Sequence, residues 1–598
     1  MSLPKLVEFY NARHAEKSAA LAGVKRKINR IAYLRLLVAA VTIAACFVLY
    51  DENYTAFIIS LLTGVFIFFY LVRSHFSFFA SRVYLSHLVD INDEELRRIR
   101  GESFGAEGDE YASKAHPYAA DLDIFGKGSV FQYISRSASI PGKNCLAKWL
   151  IRGAPGEVIK ARQQAIAELK NDTDWRQDFQ AIGRKARELP GDAEALLVWV
   201  NEPSLWKNKK FYDVLLWVLP ALTIAAIFLA IFTPLPASVF ILLLLLQAGI
   251  VVLNLRYINH HYFHTSSNYK MLQKYAALIR LIESKEYTSA ELIRLKAKLS
   301  VSGRSAGDSI TQLGRFITAL DNRNNFLLVG FLNGLFMWDL RFAISMEKWK
   351  EKYHTEMGVW FDILAEADVL SSFATFYFNN PEFSFPAINN GEVRLDAKNI
   401  AHPLLSETER VANDCLIEKA GRINLVTGSN MAGKSTYLRA VGVNMVLAQS
   451  GAPVCATSFD FHPIPMYTSM RIGDSIQSRE STFYAELKRL KQIIEASEKG
   501  EILILLDEIL KGTNSKDKLT GSIALIRQLI RNSASGIIAT HDLALGDMEK
   551  EYPGNIKNYS FEVNIENEQF TFDFRLKEGV CKTMNATQLM KKMGITVV

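Results

Sequence analysis

Two pairs of long apolar runs constrain this chain more than any other feature. Ile31 to Tyr50, broken only by Arg35, and Tyr54 to Val72, without one charge, flank the polar turn Asp51-Glu52-Asn53. Val214 to Phe232 and Ala237 to Leu253 form the second pair, joined by Thr233-Pro234-Leu235-Pro236. A helix of about 20 apolar residues, rising 1.5 Å per residue, covers the roughly 30 Å hydrocarbon core of a bilayer. The runs read as two membrane hairpins, and the alternative is buried core helices of a large soluble protein. Arg73 follows the first pair, Lys207, Lys209 and Lys210 precede the second and Arg256 follows it, while the connectors carry no Lys or Arg. That asymmetry places the N-terminus, residues 73–213 and everything after 254 on the cytoplasmic side of an inner (cytoplasmic) membrane, crossed several times. Arg35 is expected to snorkel and Pro220 to kink the third run. The fourth run is the shortest and carries Gln247. Seven basic residues precede the first run, more polar chain than a secretory signal begins with, so that run is expected to be retained.

At 598 residues the chain is too long for one core and suggests about four units. Charged residues make up 22% and hydrophobic residues 49%, which excludes a largely disordered chain. The five cysteines form no CxxC pair, which argues against a disulfide framework and a cysteine-rich zinc module. The net charge of +7 is thinly spread and does not by itself establish a nucleic-acid partner.

The strongest chemical signal is Gly428-Ser429-Asn430-Met431-Ala432-Gly433-Lys434-Ser435 with Thr436, placed between the β-branched stretch 423–427 and a helix-like segment. This is the strand, loop and helix context of a phosphate loop. Glycines let backbone N–H groups curl toward phosphate oxygens at a helix N-terminus. Lys434 is expected to reach the β- and γ-phosphates of ATP and Ser435 to ligate Mg2+. A second apolar strand pattern, 501–506, ends in Asp507 and Glu508: Asp507 suits the metal and Glu508 the attacking water. A third, 536–540, delivers His541 to the same sheet edge, within reach of the γ-phosphate.

With TGSNMAGKSTYLRAVG, LLDEILKGTNSKD and ATHD in view, the chain resembles the ATPase domain of the MutS family, whose loop reads GPNM(G/A)GKST. The resemblance implies a role in trans for Ser481, in the segment Ser478-Arg-Glu-Ser481-Thr482-Phe483-Tyr-Ala-Glu486, across a homodimer of heads. It also pairs His402-Pro403 with the family's RHP element and Thr583 to Gly594 with its dimer helix. Residues 122–170 and the helix around 361–370 resemble the family's core and lever. The expected organisation is a basic segment (1–30), hairpin 1 (31–73), a helical core-like region (74–213), hairpin 2 (214–253), a lever-like region (254–386) and an α/β P-loop ATPase head of ABC/MutS type (387–598).

Three departures qualify the resemblance. The N-terminus leaves no room for the family's mismatch-reading domain, so mismatch recognition is not expected. No DNA clamp is identifiable in 257–345. The family's DEIGRGT is here Asp507-Glu-Ile-Leu510-Lys511-Gly512-Thr513, which replaces a glycine and an arginine. His260, His261 and His264 read as interfacial residues after the fourth run rather than a metal site, and Lys488, Arg489 and Lys491 as a solvated helix face. The expected function is a membrane-anchored, Mg2+-dependent ATPase with dimeric heads that couples hydrolysis to lever movement and to DNA. The alternatives are an ATP-driven membrane remodelling or transport-coupled machine not acting on DNA, and a non-catalytic scaffold.

Overall fold

The computed structural model describes residues 2–102, 105–113, 115–204, 206, 209–301, 303–389, 391, 395–429, 432–471, 482–566 and 569–581. The first hairpin is longer than its apolar runs. Helices α1 (Leu3–Glu52) and α2 (Tyr54–Ile99) pass without a break through residues 30 and 73, where the composition changes. Asn53 turns the chain, its side chain accepting from Ala56 N at 3.1 Å as the N-cap of α2. Gly64 brings the two helices together: a Cβ there would stand 2.1 Å from Thr42 Oγ1. The outer faces expose Leu36, Ile43, Phe66 and Phe69, and Phe47 is 85% exposed. A continuous band of this kind differs from the scattered exposed hydrophobics of a soluble surface.

The polar extensions of both helices dock onto the helical core. Tyr10 Oη donates to Asn379 Oδ1 at 2.8 Å, and Arg13 pairs with Asp174 at 2.5 Å. Arg136 meets Glu95 of α2 through two bonds, of 2.9 and 2.8 Å, with both side chains under 5% exposed. Arg98 donates to the carbonyl of Gln132 at 2.7 Å.

The core contains α3 (Ile140–Ile151), α4 (Gly156–Lys170), α5 (Thr173–Gly183) and α6 (Asp192–Asn201). The second hairpin, α7 (Lys209–Phe232) and α8 (Ser238–Leu253), then interrupts it. Helix α7 continues through Pro220, whose ring removes the N–H that Leu216 O would have accepted. Arg341 supplies the missing donor, its Nη2 lying 2.5 Å from Leu216 O. Gln247, in the middle of the fourth run, is buried and donates to Thr223 Oγ1 across the hairpin at 2.5 Å. By length and composition α1, α2 and α7 could each cross a membrane; α8 qualifies only together with the segment after it, across a 59° bend.

The chain returns through α9 (Leu255–Thr265), α10 (Tyr269–Ser284), α11 (Ala290–Lys298), α12 (Ala306–Asp321) and the apolar α13 (Phe326–Phe336), which packs against α8. The 42-residue α14 (Trp338–Asn379) is the spine of the region. Its buried Asp368 accepts from Ala138 N, Ser139 N and Ser139 Oγ at 3.0, 3.0 and 2.8 Å, holding the start of α3.

The head contains β1 (Leu395–Ile400), β2 (Asn413–Ile417), β3 (Ile423–Gly428), α15 (Lys434–Ser450), β4 (Ser458–Phe461) and β5 (Met466–Ser469). It continues with α16 (Thr482–Lys499), β6 (Leu503–Asp507), α17 (Ser515–Arg531), β7 (Ser535–Thr540), β8 (Ile556–Glu566) and β9 (Gln569–Glu578). Six strands lie in the order β9-β8-β3-β7-β6-β5, parallel except for the β8–β9 hairpin. Strands β3, β6 and β7 are buried along their whole length, as their unbroken apolar sequences require. A smaller sheet of residues 387–388, β4, β1 and β2 packs beside them. The expected fold class is thus present as an α/β mixed-sheet head behind a helical N-terminal region.

The head is clamped onto the core. Asp121 accepts from Thr468 Oγ1 at 2.6 Å and Arg471 N at 3.0 Å, and Ser450 Oγ at the end of α15 donates to Trp149 O at 2.9 Å. One expectation fails here. Arg489 does not lie on a solvated face: it donates to Thr468 O at 2.9 Å and His116 O at 3.1 Å, pinning α16 to the core.

Candidate nucleotide site

Parallel strands bring distant residues to one edge. The register pairs Thr427 with Thr540 and Asp507 with Ala539, so the ends of β3, β7 and β6 are level. The loop after β3, the carboxylates after β6 and the histidine after β7 therefore meet at the carboxyl edge, where open α/β sheets take ligands.

The loop has the backbone its glycines allow. Gly433 holds φ 106°, a left-handed value, as the residue before α15. Gly428 holds φ 154°, and a Cβ there would stand 2.7 Å from Phe561 O. Ser429, Ala432 and Thr436 lie on the loop or the first turn of α15; Asn430 and Met431 lie outside the described residues. The Lys434 ammonium donates to Gly428 O at 2.6 Å and Ser429 O at 2.8 Å, so it spans the mouth of the loop. Burial pushes its pKa down, and the carboxylates of Glu508 and Asp507 oppose that.

Ser435 Oγ donates to Asp507 Oδ2 at 2.5 Å, which joins the two residues assigned to the metal from sequence alone. A hydroxyl and a carboxylate converging beneath a phosphate loop form an oxygen donor set, the kind that Mg2+ takes beside substrate phosphates. The residues fit the ion. Glu508 is next in the chain, with His541 Nδ1 3.3 Å from its Oε1 and Lys511 Nζ 3.8 Å from its Oε2. Burial works against its ionisation, but the charges of Lys511, His541 and Lys434 outweigh it and hold its carboxyl below the usual range. It is therefore a carboxylate, able to accept a proton or orient a water.

Beside the loop lies a cavity of about 230 Å³, lined by His402, Asn413, Thr436, Tyr437 and Phe574 among others. Its aromatic wall and position against α15 suit a nucleotide base. Burial, with the charge of Arg439, pushes the His402 imidazole down to about 4, so it is neutral.

A contact that spacing alone did not assign is Glu486 of α16. Its carboxylate accepts from Leu510 N at 2.5 Å and Lys511 N at 3.0 Å, gripping the loop that follows Glu508. Gly512 completes the grip: a Cβ there would stand 2.7 Å from Phe483 Cβ. Ser481 and residues 583–594, for which a partner head was expected, lie outside the described residues.

The family model "MutS domain V" matches residues 424–597, which hold Lys434, Ser435, Asp507, Glu508 and His541 but not the His402 side of the cavity. The C-terminal part of the chain thus matches the MutS family through its domain V. The head is similar to the DNA mismatch repair protein MutS of Thermotoga petrophila, 31% identical over 244 residues. It is also similar to that of Caldicellulosiruptor bescii, 32% identical over 243 residues, and of Thermotoga maritima, 30% over 243. Each match covers 39% of this chain and 28 to 29% of the relative, so the chain spans less than a third of the length of the curated relatives it matches. Domain V is the ATPase domain of the family. The helical and apolar parts before it lie outside that match.

Proposed function

We propose that this chain is a membrane-anchored, Mg2+-dependent ATPase whose heads pair and drive helical levers on DNA at the inner face of the cytoplasmic membrane. The meeting of Ser435 with Asp507 beneath Lys434, with Glu508 and His541 alongside, carries the enzymatic part. Lys434 and the loop amides hold the phosphates of ATP. Mg2+, held by Ser435 and Asp507, would neutralise developing phosphate charge. Glu508 orients and deprotonates the attacking water, and His541 positions that carboxylate and faces the γ-phosphate. Ser481 completes the site of the neighbouring head. In the full-length protein in detergent or nanodiscs, Lys434→Ala abolishes nucleotide binding. Glu508→Gln keeps binding but loses roughly 100- to 10,000-fold in hydrolysis, the range for a general base. Unchanged turnover in both variants would overturn the reading.

Anchoring is supported by the exposed apolar bands of the two hairpins and their basic flanks. Release of the protein from membranes by salt alone would contradict it. The DNA part rests on the mismatch-repair relatives and the levers. Titration with matched, mismatched and branched duplexes over a salt series tests it, since phosphate contacts give affinity that falls steeply with salt. A second reading, membrane remodelling or transport without DNA, is favoured by the buried Glu95–Arg136 pair that ties the first hairpin to the core. It gains if no duplex binds at low salt while the ATPase responds to lipid.

A further inference from the structure

Outside the nucleotide site, among the described residues, one cluster of side chains has the composition and geometry of a metal centre. His260 and His264 lie one turn apart on α9, with ring centroids 4.3 Å apart. Residues four apart share a helix face, so both imidazoles project from one side of α9. Glu202 comes from the C-terminal end of α6, and its Oε2 lies 2.7 Å from His260 Nε2. One ligating atom from each of the three lies within 4.8 Å of the others. By sequence these histidines read as interfacial; the ligand missing there is Glu202, 58 residues from His260, which only the fold brings in.

We propose that Glu202, His260 and His264 bind a Zn2+ ion at the base of the second hairpin. Two imidazoles and one carboxylate are the His2Glu donor set that zinc accepts, with water in the fourth position. The tautomer is arranged for it. His264 Nδ1 lies 2.7 Å from His260 O, so Nδ1–H donates to the carbonyl and leaves the Nε2 lone pair unprotonated. A backbone carbonyl on the second ring nitrogen is the usual way a ligating histidine is oriented. The neighbouring histidine is excluded by its own contacts. His261 faces the opposite side, fully buried, where Nδ1 accepts from Trp199 Nε1 at 3.3 Å and Nε2 lies 3.0 Å from Glu347. Glu202 and His260 are partly exposed and His264 is exposed, so an ion can reach the site without unfolding. Bound there, it would staple the end of α6 to α9, joining the core before the second hairpin to the helix that leaves it.

Untagged, chelator-stripped full-length protein, with excess Mg2+ to fill the head, is titrated with Zn2+ by equilibrium dialysis. The expected result is one Zn2+ per chain and a rise in thermal midpoint on loading. Glu202→Gln and His264→Ala each weaken binding by more than about 10-fold, the lower bound for disturbing even an outer partner of a zinc ligand. Co2+ in place of Zn2+ should give the visible absorption of a tetrahedral N/O site in the wild type and lose it in both variants. ATPase activity without Zn2+ stays unchanged in both, since neither residue touches the head, and this shows that they fold. Wild type that binds no Zn2+, or variants that bind it equally well, would overturn the proposal and leave a hydrogen-bonded surface cluster.

Discussion

Leu510 stands where the MutS loop carries glycine, and its backbone is left-handed: its φ is 58°, beside Glu508 at 56°. Holding a leucine left-handed costs about 1 to 2 kcal/mol. Its side chain is buried in the α16–α17 cluster, and deleting a buried leucine costs about 2 to 5 kcal/mol. Burial wins, so Leu510→Gly is expected to lower stability by about 1 to 3 kcal/mol in denaturant unfolding, and a more stable variant would show that strain dominates. Glu486 holds the N–H groups of Leu510 and Lys511, the backbone that follows Glu508. Glu486→Ala should therefore depress kcat for ATP with little change in KM, and Glu486→Gln should do so less; equal losses in KM would place the residue elsewhere. His402 sets a pH limit. Its folded pKa of about 4 lies below the unfolded value of 6.5, so between these values the unfolded chain binds the extra proton. Stability is complete above 6.5 and falls as pH drops toward 4. Thermal melts should show that decline, and His402→Asn should flatten it.

Among elements, the second hairpin offers the sharpest test. Pro220 leaves Leu216 O without its helical donor, and Arg341 of α14 fills the vacancy. Arg341→Ala should destabilise the protein by about 1 to 3 kcal/mol, the cost of an orphaned buried acceptor. In a Pro220→Ala background the same change should cost less, because an alanine at that position restores the N–H; an equal cost would show that Arg341 acts through Trp217 instead. This pairing also shows where sequence reading stops. The proline was visible, and so was its expected disturbance of the helix, but the remedy lies 125 residues away. The site itself was largely legible, since Lys434, Ser435, Asp507, Glu508 and His541 lie at strand ends whose apolar runs announce them. Glu486, Arg489 and Glu202 were not, because each acts through a contact that only tertiary packing creates. Helix α13 lies in a region expected to be helical, but its apolar run does not stand out as a spanning one, since 11 residues are too few.

For the whole molecule, the buried Glu95–Arg136 pair decides whether the first hairpin and the core move as one body. Arg136→Ala strands a carboxylate that is 3% exposed, a loss of about 3 to 5 kcal/mol. Thermal melts should register it and proteolysis should begin within residues 74–135, whereas replacing both partners with apolar residues should restore most of the stability. The extensions of α1 and α2 have a consequence for how the head is carried. With the apolar bands in lipid, residues 73–99 form a strut about 40 Å long at 1.5 Å per residue, ending where Glu95 and Tyr10 meet the far end of α14 at Asn379. The start of α14 is fastened through Arg341 to the second hairpin. On the proposed anchoring, the head would stand off the bilayer on two legs that share a joint at the top, and any stroke it made would have to splay their feet within the plane of the membrane.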